Sequence, residues 1–410
     1  MHGPRRQLGV IGRSSGFRLL FFSSLGSTLG TLVATVALVV DVKDRTNSGT
    51  WVSALLIVEF LPAVLIGLFF GPLLDRLSRR RLMVAADLVR AAVFCILPFT
   101  TSAGQIVALA AVAGFASGFF RPAAYAGLPN LVEPEDLPAA NSVLQAGENV
   151  SWAAGPVLGG VIVAAAGPHP AYWIDAVSFV LSALLLSGIP SRLLQTAAAV
   201  SHGHVRDLKE GLLFVLRSPA LRAVLIAWTI VMGAIAAQNT SEVFLAKNAF
   251  HAGDFGFGLL FGSLGLGLAL GSLVAGSLVG VRPLPTIWGG SIFVHGLGLV
   301  LAAISPNVWV AAACCALAGL GNGGAILCNS LLVQRGSPDN LRGRAFTVIM
   351  SINNAVFGIG LVVGGVLTDR YGPRWVWAGA GTIVALASVV AYRLARGSAG
   401  VREPKPELAV

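Results

Sequence analysis

Gly71-Pro72-Leu73-Leu74-Asp75-Arg76-Leu77-Ser78-Arg79-Arg80-Arg81 is a short, strongly basic stretch set between two long apolar runs. Five of the seven residues from Asp75 to Arg81 carry charge. An apolar run of about 20 residues spans a bilayer as a helix, so a basic turn between two such runs reads as the link between two spanning helices. Gly71 and Pro72 end the first of them, because proline supplies no N–H to continue the helix.

The rest of the chain supports that reading. Its 410 residues are 55% hydrophobic and only 11% charged, with a mean hydropathy of +0.80. Soluble domains carry about 25% charged residues, so the composition belongs to a polytopic membrane protein. The formal charge of +10 does not imply nucleic acid, because the basic residues sit at the ends of apolar runs. Cys95, Cys314, Cys315 and Cys328 all lie inside apolar segments without metal-ligand spacing. They are expected as small buried hydrophobes, with no disulfide and no metal. The first apolar stretch is too long for a signal-peptide core and is read as a retained helix.

Twelve spans are predicted, at 19–41, 51–74, 82–102, 105–127, 141–166, 171–189, 221–246, 256–280, 285–304, 308–333, 344–367 and 374–396. With a cytoplasmic N-terminus, 22 of the 28 basic residues fall on inner segments. Only Lys43, Arg45, Lys247, Arg370 and Arg374 fall on outer ones, and Arg90 lies within the third span. That bias places both termini in the cytoplasm and agrees with an even number of spans. The longest inner connection, 190–220, is read as a surface linker between an N-terminal six-helix half (1–189) and a C-terminal half (221–396), with a cytoplasmic tail at 397–410. It includes an amphipathic stretch near Val205 to Leu216.

The two halves repeat. Gly155-Pro156-Val157-Leu158-Gly159-Gly160 aligns with Gly360-Leu361-Val362-Val363-Gly364-Gly365 at an offset of 205 residues. Asn149 and Asn354 keep that offset, as do Gly167-Pro168 and Gly372-Pro373. The fifth span thus corresponds to the eleventh, and the halves share one orientation.

The Gly-x-x-x-Asp-Arg-x-x-Arg-Arg spacing of the opening stretch resembles the signature loop between helices 2 and 3 of the major facilitator superfamily of transporters. The resemblance implies an all-α fold of twelve transmembrane helices in two parallel six-helix halves. It also implies a gating role for Gly71, Asp75, Arg76, Arg79 and Arg80, holding the halves together when the transporter faces outward. Ser78 stands where the family usually has glycine. The equivalent loop of the second half, near Gly276 to Pro285, keeps only Arg282. A second set of residues narrows the resemblance. It runs from Gly118-Phe119-Phe120-Arg121-Pro122-Ala123 through Leu128-Pro129-Asn130-Leu131-Val132 to Gly155-Pro156-x-x-Gly159-Gly160. Asp175-Ala176-Val177-Ser178-Phe179 and Arg342-Gly343-Arg344 extend it. Together they resemble the branch containing macrolide-efflux proteins, enterobactin exporters and actinobacterial multidrug pumps. Gly155, Pro156, Gly159 and Gly160 also resemble the helix-5 motif of drug–proton antiporters, and read as a packing hinge.

Charges inside a membrane cost roughly 2.5–3.5 kcal/mol on insertion scales, so each calls for a reason. Glu148, Glu59, Asp41 and Asp175 are the candidate proton-coupling carboxylates, with Arg121 a candidate partner for Glu148. Asp41, Asp175 and Glu242 lie near outer helix ends, where water is expected to reach them. Asp87 and Arg90, three residues apart on one helix, read as a structural ion pair. Phe60, Trp152, Asn239, Asn329 and Asn353 are candidate walls of a substrate cavity.

These readings predict a proton-coupled secondary exporter, an antiporter, of a hydrophobic or amphipathic small molecule such as a drug, antibiotic or siderophore. Its partners are that substrate, protons and the lipid bilayer, without nucleic acid or cofactor. It is expected as a monomer in a bacterial inner membrane. No Gly-x-x-x-x-Gly-Lys-Ser/Thr sequence is present for direct use of ATP, and no catalytic constellation marks an enzyme. The alternatives are an uptake or facilitative transporter of a small metabolite, or a non-transport membrane sensor.

Overall fold

The computed structural model describes residues 4–69, 78–194, 212–337 and 339–398. Gly71, Asp75 and Arg76 lie outside the described residues, as do most of the linker and the tail. Twelve helices follow one another: α1 Ser15–Thr46, α2 Gly49–Phe69, α3 Arg79–Ile96, α4 Ala103–Gly127, α5 Leu137–Ala166, α6 Pro168–Ser187, α7 Pro219–Phe244, α8 Gly253–Leu278, α9 Leu284–Ile304, α10 Val308–Gly336, α11 Asp339–Tyr371 and α12 Pro373–Ser398. Eleven of them are long and apolar enough to cross a bilayer, and α2 contributes a shorter apolar stretch, Gly49–Pro62. An additional helix, Pro4–Arg13, precedes them. It is tied to the α4–α5 connection by an Arg13–Asp136 ion pair of 3.1 Å, and Ser14 Oγ donates to the Leu131 carbonyl at 2.5 Å.

Several helices start two to four residues earlier than hydrophobicity indicates, because polar caps open them. Ser14 accepts from the Phe17 N–H, Ser102 and Gln105 form a reciprocal capping box, and Ser218 precedes Pro219 at the first position of α7. Such caps satisfy orphan N–H groups, so the helix begins at the polar residue before the apolar run.

The packing reproduces the repeat. In the first half α1 lies on α5 and α6, α3 on α6 and α4, and α2 on α4. In the second half α7 lies on α11 and α12, α9 on α12 and α10, and α8 on α10. Each contact maps onto its partner by adding six to both helix numbers. The halves meet along α5–α8 and α2–α11, which the same operation exchanges.

The repeated glycines explain that symmetry. A Cβ at Gly159 would sit 2.7 Å from the Val33 carbonyl oxygen on α1, and one at Gly364 would sit 2.4 Å from Ala237 Cα on α7. These two glycines let each helix settle on its own half. The next glycine serves the other half: a Cβ at Gly160 would lie 2.9 Å from Gly258 Cα on α8, and one at Gly365 would lie 2.6 Å from the Gly49 carbonyl oxygen on α2. Small residues allow such backbone approach in lipid. Gly167 and Gly372, with φ of 77° and 83°, end α5 and α11 in the left-handed region that favours glycine. The helix runs unbroken through Pro156.

The chain reversals divide into two ends. One end, called here the first, carries Asn47, Thr100, Gly167, His251, Pro306 and Gly372; the second carries Ser14, Ser78, Leu131, Gly280 and Ser337. At the first end a single apolar core contains residues of both halves, from Val33 and Tyr172 to Phe257 and Trp377. At the second end the core splits into one cluster drawn from the first half, around Phe17, Met83 and Leu144, and one drawn from the second half, around Trp228, Trp288 and Val348. The halves are therefore joined at the first end and separately packed at the second.

Polar contacts reinforce the join. Asp369 at the end of α11 accepts from the backbone N–H groups of Gly49 (2.5 Å) and Thr50 (3.1 Å) and from Ser48 Oγ (3.0 Å). A carboxylate from one half thus caps an α2 start in the other, where the helix dipole favours a negative charge. Lys247 pairs with Asp44 at 2.7 Å and also with Asp254, and Ser53 Oγ donates to the Leu361 carbonyl at 2.6 Å. Asp369→Asn is expected to weaken this cap by about 0.3–1 kcal/mol. Hydrogen exchange of the Gly49 and Thr50 amides should then quicken several-fold; unchanged exchange would show that the cap contributes nothing to closure.

Candidate functional site

A cavity of about 540 Å³ opens within the first half, toward the second end. Its walls come from α1, α3, α4 and α5. On α1, Ser24, Ser27, Thr28 and Thr31 form a hydroxyl-bearing stripe at helical spacing. Phe120 and Tyr125 come from α4, and Glu148 and Trp152, one turn apart, from α5. Volumes of this order suit a small organic ligand, and aromatic walls with a few polar groups suit an amphipathic one.

Glu148 is held in place. Tyr125 Oη donates to its Oε1 at 2.9 Å, and Gln145 Nε2 donates to Oε2 at 3.4 Å. The expected partner Arg121 has its side chain outside the described residues. Trp152 is 46% exposed and meets Phe261 of the other half edge-on, with ring centroids 5.9 Å apart. It therefore stands where the cavity reaches the α5–α8 seam.

Behind the cavity wall is a buried ionic site. The Arg90 guanidinium donates to Asp87 Oδ1 and stacks over the rings of Phe120 at 4.9 Å and Phe179 at 4.2 Å. Ser182 Oγ donates to Asp87 Oδ2 at 2.5 Å and meets Ser23 Oγ at 2.6 Å. The i, i+3 ion pair read from the sequence is present, and the aromatic faces add a cation–π contribution.

The expectation of water-reached carboxylates at helix ends is corrected here. Asp41, Asp175 and Glu242 are 7%, 0% and 4% exposed, because the shared core encloses the first end. Asp41 accepts from Arg45 Nε at 2.6 Å and from Tyr172 Oη at 3.0 Å. Glu242 accepts from Gln238 Nε2 at 3.1 Å, and Asp175 accepts from Ser178 Oγ at 3.0 Å. Glu59 makes no hydrogen bond or ion pair among the described residues, and Gly114 lies against its backbone.

Of the expected cavity residues, Trp152 lines this space. Phe60 instead faces Phe357 across the α2–α11 seam, with centroids 5.1 Å apart. Asn353 is 2% exposed and accepts from Thr229 Oγ1 at 2.9 Å. Asn329 and Asn239 lie in the second half, away from this cavity's walls. Arg79 is buried and Arg80 half-buried at the start of α3. The cysteines are unpaired, two of them buried, and no metal-binding cluster occurs among the described residues.

Sequence reasoning missed the Ser/Thr stripe on α1 and Tyr125. The stripe had a legible signal, hydroxyl residues at 24, 27, 28 and 31 in an otherwise apolar helix. It also missed Asp369, whose role depends on a partner 320 residues away.

The family model described as Major Facilitator Superfamily matches residues 20–360 and 242–409. The multidrug efflux pump Tap of Mycolicibacterium fortuitum is 27% identical over 400 residues, covering 92% of this chain and 95% of its own. Macrolide efflux protein A of Streptococcus pyogenes is 22% identical over 382 residues, covering 89% and 92%. Among solved structures, a bacterial homologue of the iron transporter ferroportin in an inward-facing state superposes with a TM-score of 0.75 at 16% identity, covering 93% of this chain and 98% of that one. A bacterial homologue of the lysosomal transporter Spinster, inward-facing and unoccupied, gives 0.73 at 13% identity, covering 95% and 99%. At such identities the structural likeness concerns the fold.

Proposed function

The chain belongs to the major facilitator superfamily, and from that premise we propose that it is a proton-coupled exporter of hydrophobic or amphipathic small molecules, working by alternating access. One observation carries the reading: an aromatic, hydroxyl-lined cavity holding Glu148 opens toward one end of a bundle whose halves are joined at the other. The efflux relatives support export, and the excess of basic residues on the second end supports its assignment to the cytoplasm. The arrangement is then the inward-facing state, ready to take cargo from the cytoplasm or inner leaflet.

In this reading Glu148 alternates between a proton and the cargo. Its carboxylate, held by Tyr125 and Gln145, stands in the cavity wall where either partner can meet it. Rocking of the halves about the glycine seams would then carry the site to the other face. The loop from Gly71 to Arg81 would hold the second end when the first opens, and the 190–220 connection would join the halves as a cytoplasmic linker. The protein would work as a monomer, each copy having its own cavity and seams.

The test is a susceptibility profile of a hypersensitive bacterial host, with and without the protein, across macrolides, other antibiotics and siderophores. Protection that disappears with an uncoupler supports the reading; no protection against any amphipathic compound, or flux indifferent to the uncoupler, overturns it. For the best protected compound, Trp152→Ala is expected to weaken binding about tenfold, which is about 1.4 kcal/mol. Equilibrium binding to the purified protein measures this, and wild-type affinity would remove Trp152 from the site.

A further inference from the structure

We propose that Asp175 is a second proton-binding site of the transport cycle, read by Arg90 on the cavity wall. The inference rests on the proton-coupled reading above and adds to it a residue remote from the cargo.

The buried charges of this region do not balance. Arg90, Asp87 and Asp175 are 6%, 0% and 0% exposed, so one cation and two carboxyl groups share a buried region of α3 and α6. Phe179, whose ring lies under the Arg90 guanidinium, is one helical turn from Asp175. Ser182, the donor to Asp87, is one turn further on the same face. With both acids ionised the cluster has an uncompensated negative charge; one proton makes it neutral. Uncompensated buried charge is expensive enough that a group takes up a proton instead.

The hydrogen bonds favour Asp175 as the group that takes that proton. Asp87 has both oxygens engaged, Oδ1 by Arg90 and Oδ2 by Ser182. Asp175 Oδ1 shares the Ser178 hydroxyl with the Asp175 carbonyl oxygen, at 3.0 and 2.8 Å, while its fully enclosed Oδ2 has no partner. Arg90 Nε, equally enclosed, has no acceptor. An unmet donor and an unmet acceptor therefore occur in one cluster. Two arrangements follow from the proposal: a protonated Asp175 with Arg90 committed to Asp87, the pairing present in this structure, or an ionised Asp175 that draws the Arg90 Nε–H. Moving between them redirects the guanidinium of Arg90, a residue that lines the cavity. Such a bistable element is what coupling between sites requires.

Among the described residues the surroundings supply no competing partner. The charged groups within electrostatic reach of Asp175 are Arg90 and Asp87 on α3 and Glu59 on α2. On α1 the carboxyl rests against Gly30, where a Cβ would lie 2.6 Å from Asp175 Oδ1. Further along α1, Asp41 is already engaged by Arg45 and Tyr172, and α5 carries no charged residue between Asn149 and Ala166. The step is a proton transfer alone: one O–H bond of a hydronium breaks, leaving water, and one O–H bond forms on the Asp175 carboxylate. The Asp-Ala-Val-Ser-Phe segment thereby acquires a role, with Asp175 binding the proton, Ser178 orienting it and Phe179 holding Arg90.

Infrared difference spectra of the purified full-length protein, recorded across a pH titration, test the site without any cargo. A carboxylic-acid C=O band should be lost in Asp175→Asn, shifted in Ser178→Ala, restored at a new position in Asp175→Glu and kept in Glu148→Gln. An Asp175→Asn spectrum identical to wild type overturns the proposal. In proteoliposomes, proton-driven movement of the best protected compound should fall at least tenfold in Asp175→Asn and lose its pH dependence, with Asp175→Glu recovering both. Gradient-driven movement retained by Asp175→Asn overturns the proposal alone. Wild-type movement that ignores the gradient overturns the proton-coupled reading and this proposal with it.

Discussion

Replacing Gly258 by leucine is expected to abolish transport while leaving each half folded. A Cβ at this position would lie 2.4 Å from the Pro156 carbonyl oxygen and 2.7 Å from Gly160 Cα. The three nearest atoms there are all backbone, so no side chain can move aside to relieve them. This contact of α5 with α8 is made in the joined state, in which the first-end core includes both halves. The substitution therefore acts on that state and spares the separate cores of the second end. A penalty of about 1.4 kcal/mol shifts an equilibrium tenfold, and overpacking costs about 1–3 kcal/mol or more. Spin labels at His169 and Pro306, exposed on opposite halves at the first end, should move apart in the variant. Wild-type distances together with wild-type transport would show that the glycine seam is not the closure contact. At the symmetry-related α2–α11 seam, Gly49 on α2, whose Cβ would lie 2.7 Å from the Gly365 carbonyl oxygen, should behave alike.

The second large effect is expected from Glu148→Gln, which should abolish gradient-driven export without unfolding the protein. Glutamine keeps the size of the side chain and can still accept from Tyr125, so the cavity wall should survive. What it cannot do is gain and lose a proton. The variant should retain wild-type thermal stability in detergent while its host loses protection against the cargo by at least tenfold. Export that persists in Glu148→Gln at wild-type rates would remove Glu148 as the coupling carboxylate and leave the cavity as a binding site only.

Much of the architecture is legible in the sequence because membranes impose long apolar runs, and because the two halves repeat the same glycines. The spans, their number and the parallel halves follow from those two features. The Asp87–Arg90 pair is also legible, since both charges lie on one helix at a fixed spacing. What escapes is whatever depends on tertiary proximity. Asp369 reads as an ordinary charge near a helix end until α11 is placed on α2. Asp41, Asp175 and Glu242 read as water-accessible for the same reason: their depth along the helix is visible in the sequence, but the closure of the first end is not. The glycines of α5 read as a packing hinge, but that their contacts divide into two backbone seams, one on α1 and one on α8, appears only once the helices are packed. The cavity drew only Trp152 of the five residues expected in it, because which face of each helix turns inward depends on the packing of its neighbours.

The most direct test of export driven by protons is accumulation of the best protected compound in everted membrane vesicles from cells making the protein, after an acid-inside proton gradient is imposed. Export across the cell membrane becomes uptake into these vesicles. The account predicts uptake above that of vesicles lacking the protein, collapsed by an uncoupler and absent in Glu148→Gln. Gradient-independent equilibration, or movement out of the vesicles when the gradient is applied, would contradict it.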